Sequence, residues 1–367
     1  MNLILFRYIL KHFALIFFAT LISLAAIVML FDMVELLRIA SKRENIAFLD
    51  ILALAFLKSP QMIHIILPFI VLLSGIIFFL KKSATLELTV MRAIGFSVWN
   101  FMVPVVTFVL IIGVFDVTIF SPFSALTAKR YERLEERIGL TKSHPFSWTE
   151  KGLWIRDAQE SQTLVLRASR VRQENKSDVI LDNLSVFELS PNGHLIRQIE
   201  VESGVLHKNK LTLPNAFIID PTVEDSYFKQ IETLTTNVSL ERILERYDEP
   251  RTMSFWRFPK FIRFLKESGF SSNEHQMYFH GLIAYPATLL AMILIAAVFA
   301  LPPTMRQGKI LLRIVLAVLS GFVLYSLGQL SNATGLAQNL PYFLAAWGPA
   351  LISIPLCVSA LLHLEDG

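Results

Sequence analysis

Six long apolar runs divide the chain into two membrane-spanning blocks with a polar stretch, residues 121–280, between them. A hydrocarbon core about 30 Å thick takes roughly 20 predominantly apolar residues per helix, and each run reaches that length. The runs cover residues 13–32, 61–80, 98–120, 281–302, 310–330 and 341–363. Because six is an even number, the pattern predicts that both termini face the same compartment.

The composition favours a membrane protein over a soluble one. Hydrophobic residues make up 54% of the chain and charged residues 17%, whereas soluble domains average about 25% charged residues. The first run is longer than the apolar core of about 7–15 residues found in a signal peptide. It is therefore predicted to be a retained first helix.

Basic residues in the short loops predict the orientation, because cytoplasmic loops carry an excess of Lys and Arg. A cytoplasmic N-terminus places eight basic and three acidic residues on that side. The basic residues are Arg7, Lys11, Lys81, Lys82, Arg92, Arg306, Lys309 and Arg313, and the acidic ones are Glu87, Glu365 and Asp366. The net charge of +4 thus reflects membrane topology, and no nucleic-acid partner is expected.

The polar stretch contains a segment with strand-like alternation of apolar and polar residues. Short alternating runs follow one another at roughly 8–12 residues, which is typical of a sandwich or jelly roll. The runs are Gly152–Asp157, Thr163–Arg167, Leu184–Leu189, His194–Ile199, Val205–His207 and Lys210–Leu213. The predicted organisation is membrane helices at 1–120, a helix extension at 121–144, a β domain at 145–245, a connector at 246–280 and membrane helices at 281–367.

Motifs of catalysis are absent from the sequence. There is no HExxH, no GxSxG and no GxxxxGK[ST] loop of the kind that binds zinc, activates a serine or cradles a nucleotide. Cys357 is the single cysteine, so no intramolecular disulfide can form. We predict no catalytic residues, metal or cofactor in this chain, and any ATP must be used by another subunit.

The segment between the second and third runs, residues 83–95, is predicted to be a short amphipathic helix at the membrane surface. Leu86, Val90 and Ala93 recur at helical spacing, and Gly95 can end the helix in a left-handed cap. From composition alone, residues 83–95 could simply be a connector that lies at the membrane surface. The alternative is a coupling helix that docks into a groove of a partner and transmits its motion.

Four motifs in order resemble one family. The run Leu86–Phe96 (LELTVMRAIGF) is similar to a segment of the LptF/LptG permeases of the lipopolysaccharide exporter. Three further matches favour the LptG branch of that family: Lys151–Asp157 (KGLWIRD), Phe261–Gly269 (FIRFLKESG), and Gly321–Tyr325 (GFVLY) with Gln329. The matches span the chain in the family's order.

The resemblance implies a membrane α+β fold, with six transmembrane helices arranged three plus three around an inserted periplasmic β-jellyroll. It implies a multi-pass protein of the bacterial inner membrane with both termini cytoplasmic. The chain would be a transport subunit without a catalytic site of its own. It would pair with an LptF-like permease chain and an LptB-like ATPase dimer, which uses ATP and magnesium, and pass lipopolysaccharide toward LptC/LptA-like bridge proteins.

The resemblance also implies site residues. Asp32 matches an acidic residue at the end of the family's first helix, and cations near it or on the third helix's extension would serve lipid A phosphates. Instead of binding lipid A, those cations could form ion pairs on a solvated helix face. The aromatic residues named below could likewise pack against neighbouring helices or face membrane lipid instead of holding the substrate's acyl chains. The substrate residues proposed are Asp32, Arg38, Lys42, Lys129, Arg133, Phe322, Tyr325 and Gln329, and the ATPase-coupling residues are Glu87, Val90, Met91, Arg92 and Gly95.

Two rival functions remain open at this stage. A secondary transporter driven by an ion gradient needs ionisable residues and broken helices in the membrane. Asp116 is a candidate coupling acid, and Pro104, Pro286 and Pro355 are candidate helix breaks. The other rival is a membrane-anchored periplasmic binding or assembly protein, for which six spans are more than an anchor needs.

Overall fold

The fold is taken from a computed structural model. The structure describes residues 3–41, 47–93, 97–138, 146–149, 152–158, 163–173, 178–190, 194–207, 210–220, 226–236, 249–267, 271–301, 310–337 and 339–366. These residues form two compact units. One contains the long helices with residues 251–258, and the other contains the strands with residues 259–272.

Six helices are long and apolar enough to cross a membrane, which confirms the six predicted spans. Most extend beyond the apolar runs because a helix continues into polar sequence where hydropathy carries no signal. The long helices are α1 (Leu3–Ala40), α2 (Phe48–Ala84), α4 (Val98–Phe115) continued by α5 (Ser121–Arg137), α7 (Asn273–Ala300), α8 (Ile310–Leu336) and α9 (Tyr342–Asp366). A short helix, α3 (Glu87–Ala93), follows α2.

Several prolines lie inside these helices without ending them. Helix α4 continues through Pro104, α7 through Pro286 and α9 through Pro355. Neighbouring helices and local adjustments satisfy the freed carbonyls in membrane helices. The predicted proline breaks are therefore absent from the described parts of these three helices.

Helices α2 and α7 form the centre of the membrane unit. In the most apolar window of each, 56% of residues are buried, compared with 17% in α1, α8 and α9. Phe13 of α1 meets Phe78 of α2 and Phe108 of α4 edge to face, each at a ring-centroid distance of 5.4 Å, a favourable aromatic geometry. Helices α1, α8 and α9 consequently keep broad apolar faces uncovered by this chain.

Gly75 lets α2 approach α7 closely. A Cβ at this position would lie 2.5 Å from Ile293 Cδ1 and 2.8 Å from Ala296 Cβ, both shorter than any ordinary contact. We expect Gly75→Ala to lower the free energy of unfolding by about 1–3 kcal/mol through overpacking. Thermal unfolding of the full chain in detergent measures this change.

Gly328 provides the matched control, since a Cβ there meets nothing within 4 Å among the described residues. Gly328→Ala should leave stability unchanged or raise it slightly, because Ala favours the helix by about 1 kcal/mol over Gly. Equal losses from both substitutions would contradict the close packing of α2 on α7.

A π-helical turn, Asp116–Phe120, joins α4 to α5. Such turns insert one residue into a helix and change the direction in which the following side chains point. Helix α5 packs against α2, and Tyr131, Leu134 and Ile138 contact a small core cluster formed by residues of α1 and α2. The third span therefore continues as helix beyond the apolar run, to Arg137.

The second unit is an antiparallel sheet, which confirms the inserted β domain. The seven strands pair in sequential order, and Leu164, Val186, Ile199, Leu211 and Ile218 are among the residues of its buried core. The strands are β1 (Phe146–Thr149), β2 (Gly152–Ala158), β3 (Thr163–Gln173), β4 (Asp178–Leu189), β5 (Leu195–His207), β6 (Lys210–Ile219) and β7 (Ser226–Thr235).

Helix α6 (Phe258–Glu267) covers part of this core. From Pro259 onward it belongs to the sheet unit. Leu265 is fully buried in the sheet's apolar cluster, and Phe261 and Phe264 pack against the same cluster. The α6 motif noted in the sequence therefore supplies core residues to the β domain.

Candidate functional site

The candidate site is built around α3, the helix between the second and third spans. Helix α2 ends at Ala84, and the chain turns through Thr85 and Leu86, where Leu86 takes a left-handed φ of 58°. Helix α3 then occupies Glu87–Ala93. Ser97 caps α4 by accepting a hydrogen bond from the Trp99 amide at 3.1 Å, which begins the next span. The predicted cap residue Gly95 lies outside the described residues.

Helix α3 has an outward apolar face and an inward face. Leu86 is 63% exposed and Val90 56% exposed, and the exposed Ala93 continues the same side at helical spacing. Met91 instead packs against the core of the membrane unit. The side chain of Arg92 lies outside the described residues, although its backbone belongs to α3. The face available to a partner is therefore apolar at its described positions.

Glu87 is held within the chain. Its Oε2 accepts hydrogen bonds from Lys82 Nζ at 2.6 Å and from the Tyr8 hydroxyl at 3.1 Å. Its Oε1 accepts a third from the Thr85 hydroxyl at 3.1 Å. Since Tyr8 lies on α1 and Lys82 on α2, this cluster ties α3 to both helices. We call Tyr8, Lys82 and Glu87 the α3 anchor.

Lys82 is the buried centre of the α3 anchor. Its side chain is 4% exposed while that of Glu87 is 30% exposed. The ammonium group also lies 4.5 Å from the centre of the Tyr8 ring, a cation–π arrangement, and donates to the Tyr8 hydroxyl at 3.0 Å. A lysine this deeply buried needs these partners, because an unpaired charge away from water is strongly unfavourable.

The electrostatics of Glu87 favour its charged form. Burial acts to raise the pKa of its carboxyl, but the hydrogen bond and charge of Lys82, with hydrogen bonds from Tyr8 and Thr85, bring the pKa below its ordinary value. The carboxylate is thus charged at neutral pH and satisfied within the chain. The α3 anchor therefore fixes the orientation of α3.

The predicted substrate residues at the end of α1 are paired within the chain. Asp32 forms a salt bridge with Lys58 of α2, beside a small cleft between the two helices lined by Met29, Ala55 and Met62. Arg38 is exposed and makes a two-point contact with Glu35 one turn away, at 2.6 and 2.9 Å. Lys42 lies outside the described residues.

The other predicted substrate residues lie on α5 and α8. On α5, Lys129 is half-buried and has contacts of its own, while Arg133 is exposed. On α8, Phe322 and Gln329 are exposed, whereas Tyr325 lies with its ring 5.1 Å from that of Phe69. No described contact joins these α5 and α8 residues into one cluster, so their binding role stays a prediction.

Sequence reasoning missed the partners of the singled-out acidic residues. Lys58 for Asp32, and Tyr8 and Lys82 for Glu87, were not recognised as partners. Tyr8 and Glu87 are 79 positions apart, so no periodicity connects them. The sequence feature closest to indicating these contacts was the Lys81-Lys82 pair at the end of the second span. We had used this pair only to predict the orientation of the protein in the membrane.

The geometry does not suggest a catalytic or metal centre. Within the ranges described above, no three His, Cys, Asp or Glu side chains gather in a position to hold a metal ion. The described site instead consists of the short helix α3, tied to two membrane helices. Six spans, an inserted antiparallel sheet and this helix define a polytopic membrane protein of the permease class.

The chain belongs to the LptF/LptG family, described as lipopolysaccharide export system permeases, whose sequence pattern it matches over residues 7–363. It is 24% identical over 313 residues to the lipopolysaccharide export system permease protein LptG of Escherichia coli K12, covering 80% of each chain. It is 23% identical over 361 residues to the protein of the same name from Haemophilus influenzae, covering 95% of each. The family and the LptG likeness expected from the four motifs are thereby confirmed.

Proposed function

We propose that this chain is a permease subunit of an ATP-driven exporter that extracts lipopolysaccharide from the bacterial inner membrane. Family membership supports the lipopolysaccharide cargo. The observation that carries the mechanism is the exposed apolar face of α3 on a helix fixed by the α3 anchor. An exposed helix with apolar residues four and seven positions apart fits a groove in a partner.

The ATPase is the proposed partner that carries this groove, on the cytoplasmic side. ATP-driven closure of two LptB-like subunits moves α3, and the α3 anchor transmits that movement to α1 and α2 through Tyr8 and Lys82. ATP and magnesium belong to the ATPase, and this chain contributes no covalent chemistry. Glu87 acts by holding α3 in place, and its partly exposed carboxylate is also available to the partner.

A second permease chain is proposed to cover the uncovered membrane helices. Helices α1 and α8 bury 17% of their most apolar windows, and they carry exposed aromatic residues such as Phe31 and Phe322. An LptF-like chain facing them would enclose a cavity lined by both subunits. Acyl chains of lipopolysaccharide would occupy the apolar part, and Asp32, Lys58, Arg38 and Arg133 would lie nearer the headgroups.

The sheet domain is proposed to lie in the periplasm and to receive the lipid. The core between its strands is apolar, and β1 and β7 are the two ends of the described sheet. Strand edges offer unpaired backbone groups to a partner strand. LptC/LptA-like bridge proteins would take the lipid onward toward the outer membrane.

Val90→Glu tests the ATPase docking. A buried, unpaired carboxylate in the groove would oppose binding, so we expect recovery of the ATPase subunit with the tagged chain in detergent to fall at least about tenfold, equivalent to about 1.4 kcal/mol. Phe228→Glu on β7 is the matched control, because Phe228 is also exposed and apolar. Equal ATPase recovery with Val90→Glu and wild type would overturn α3 as the docking element.

The same preparations separate this proposal from its rivals. Lipopolysaccharide release from proteoliposomes should require ATP and continue when the proton gradient is collapsed. Transport that stops when the proton gradient is collapsed, and that does not require ATP, would support the secondary transporter. A chain that binds a periplasmic partner and moves no lipid in the presence of the ATPase would support the anchored binding protein.

A further inference from the structure

A buried pair of ionisable residues joins three membrane helices at the end opposite α3. His64 Nδ1 on α2 lies 2.6 Å from Asp116 Oδ2, the first residue of the π-helical turn. The side chain of Asp116 is 3% exposed and that of His64 is 17% exposed. Ionisable groups inside membrane helices are expensive and are commonly functional. Neither residue belongs to the α3 anchor or to the predicted lipid contacts.

The depth of the pair follows from helix length. At 1.5 Å per residue, α4 rises about 27 Å between Val98 and Asp116, and α2 rises about 30 Å between His64 and Ala84. Both residues therefore lie near the far border of a hydrocarbon core about 30 Å thick. From this border the third span continues as α5.

Neighbouring residues hold the pair in place. Tyr285 of α7 donates its hydroxyl proton to the His64 carbonyl at 2.5 Å, and its ring stacks on the imidazole at 4.5 Å. Trp256 Nε1 donates to the Thr118 carbonyl at 3.1 Å, inside the π-helical turn. Freed carbonyls in such a turn need donors. The turn is thus stabilised at Asp116 by His64 and at Thr118 by Trp256.

Close packing of α4 on α7 adds to this arrangement. A Cβ on Gly113 would lie 2.9 Å from Pro286 Cα, so the two helices are nearly in backbone contact beside Tyr285. A change at Asp116 therefore acts on a tightly packed junction. A closely packed helix junction tends to switch between discrete packing arrangements and does not deform gradually when the charge of a buried residue changes.

Titratable residues of helix α7 lie near the His64–Asp116 pair. Helix α7 contributes Tyr285, which interacts electrostatically with Asp116, Tyr278 and Tyr325, and His280 lies earlier on the same helix. Tyrosines ordinarily titrate near pH 10, well above histidine.

The remaining elements contribute few charges. Helix α4 has no titratable side chain along Val98–Phe115, and the first one on α5 is Lys129. The nearest charged residue before His64 on α2 is Lys58, which pairs with Asp32. The short helix Phe255–Arg257 contacts the π-helical turn and carries Arg257, which has contacts of its own. His64 is the described basic group within ion-pair distance of Asp116.

We propose that His64 and Asp116 form a proton-binding site, and that loss of its proton destabilises the π-helical turn between α4 and α5. In the proton-bound state Nδ1–H of His64 donates to Asp116 and Nε2 carries the second proton, so the pair is neutral overall. Nε2 has no protein partner among the described residues and belongs to the more exposed side chain. Release of its proton to water leaves a net negative charge on a buried carboxylate, which is costly.

The proposal concerns the ligand H⁺ and does not depend on the exported cargo. The site would make the α4–α5 junction respond to pH in the compartment from which the proton enters. In the sequence, this junction lies between the third span and the first strand. Histidine is the side chain that ordinarily changes charge near neutral pH.

The first test compares the thermal unfolding of the full chain in detergent at about pH 6 and about pH 9, which bracket the ordinary titration of histidine. We expect the wild-type midpoint to fall between these pH values by roughly 2–4 °C more than that of Asp116→Asn or of the double variant His64→Gln/Asp116→Asn. Titration of the sheet domain is common to all three proteins and cancels in the comparison. Equal pH dependence in all three would overturn the proposal.

Two further variants keep the test decisive. Tyr285→Phe retains the ring and the ion pair while removing one hydrogen bond, so it should lower the midpoint at both pH values and keep the wild-type pH dependence. The double variant His64→Gln/Asp116→Asn retains a hydrogen-bonded amide pair without charge, and serves if a single variant fails to fold. It should unfold with the reduced pH dependence; a wild-type dependence in the double variant would refute the proton site.

Discussion

Lys82→Met is expected to release α3 and to lower ATPase recovery at least about tenfold, without changing any residue on the outward face of α3. The substitution leaves the Glu87 carboxylate without its cationic partner and removes a buried donor to Tyr8. Removing one member of a buried ion pair lowers the free energy of unfolding by about 3–5 kcal/mol. Because Glu87 is partly exposed, we expect a loss near the lower end of that range. Co-purification and thermal unfolding in detergent measure the two consequences.

A double-mutant cycle separates the positioning role of Glu87 from a contact with the ATPase. Lys82→Met/Glu87→Gln removes both charges, so it should recover much of the stability and the ATPase lost with Lys82→Met alone. Glu87→Arg places two cations together and should lose the ATPase. If Lys82→Met retains normal ATPase recovery while Glu87→Gln abolishes it, the carboxylate acts on the partner and the positioning role is wrong.

The pKa of Glu87 sets the pH range of this contribution. Because the folded pKa lies below the ordinary value of 4.5, the ion pair contributes its full stability above that value. The contribution is lost as pH falls through the lowered pKa. The double variant Lys82→Met/Glu87→Gln lacks the titrating carboxylate, so the difference in stability between wild type and this variant should be constant from about pH 5 to pH 7 and shrink at more acidic pH. A difference that already shrinks between pH 7 and pH 5 would contradict the lowered pKa.

The membrane fold was predictable from sequence because its signal is local. Twenty consecutive apolar residues identify a span wherever they occur, and alternation identifies strands such as β2 and β3 without knowledge of their partners. The lengths were not predictable to the same degree. Helix α1 begins at Leu3 and ends at Ala40, beyond the apolar run 13–32, since its ends lie in polar sequence that hydropathy does not distinguish from loops.

Contacts between distant residues explain why the site was predicted less well. The charge of Glu87 was noted, but its partners on α1 and at the end of α2 depend on how the helices pack. The π-helical turn at Asp116 adds one residue to a helix and has no signature in composition. The carboxylate partner of His64 lies 52 positions away and became evident only from the packing of α2 against the third span.

Charge pairing also decides the stability of the sheet. Arg197 on β5 faces Glu188 on β4 and contacts its two carboxylate oxygens at 2.7 and 2.9 Å. It reaches Glu232 on β7 at 3.2 Å, and Lys229 lies 2.5 Å from the same carboxylate. The Glu188 side chain is 4% exposed. Hydrogen bonding to Glu188 and the charges of both carboxylates raise the pKa of Arg197, so it remains charged throughout.

Arg197→Met is therefore expected to destabilise the sheet domain by about 3–5 kcal/mol, since Glu188 is left buried without its charged partner. Hydrogen exchange of the full chain should show faster exchange in β4, β5 and β7. Arg167→Met is the matched control, because Arg167 lies over the Trp154 ring at 5.4 Å, a contact with a contribution of about 0.5–1 kcal/mol. Arg197→Met/Glu188→Leu should restore most of the protection, as removing both charges eliminates the unpaired carboxylate. Equal exchange in the Arg197→Met and Arg167→Met proteins would show that the Glu188 pair does not stabilise the sheet.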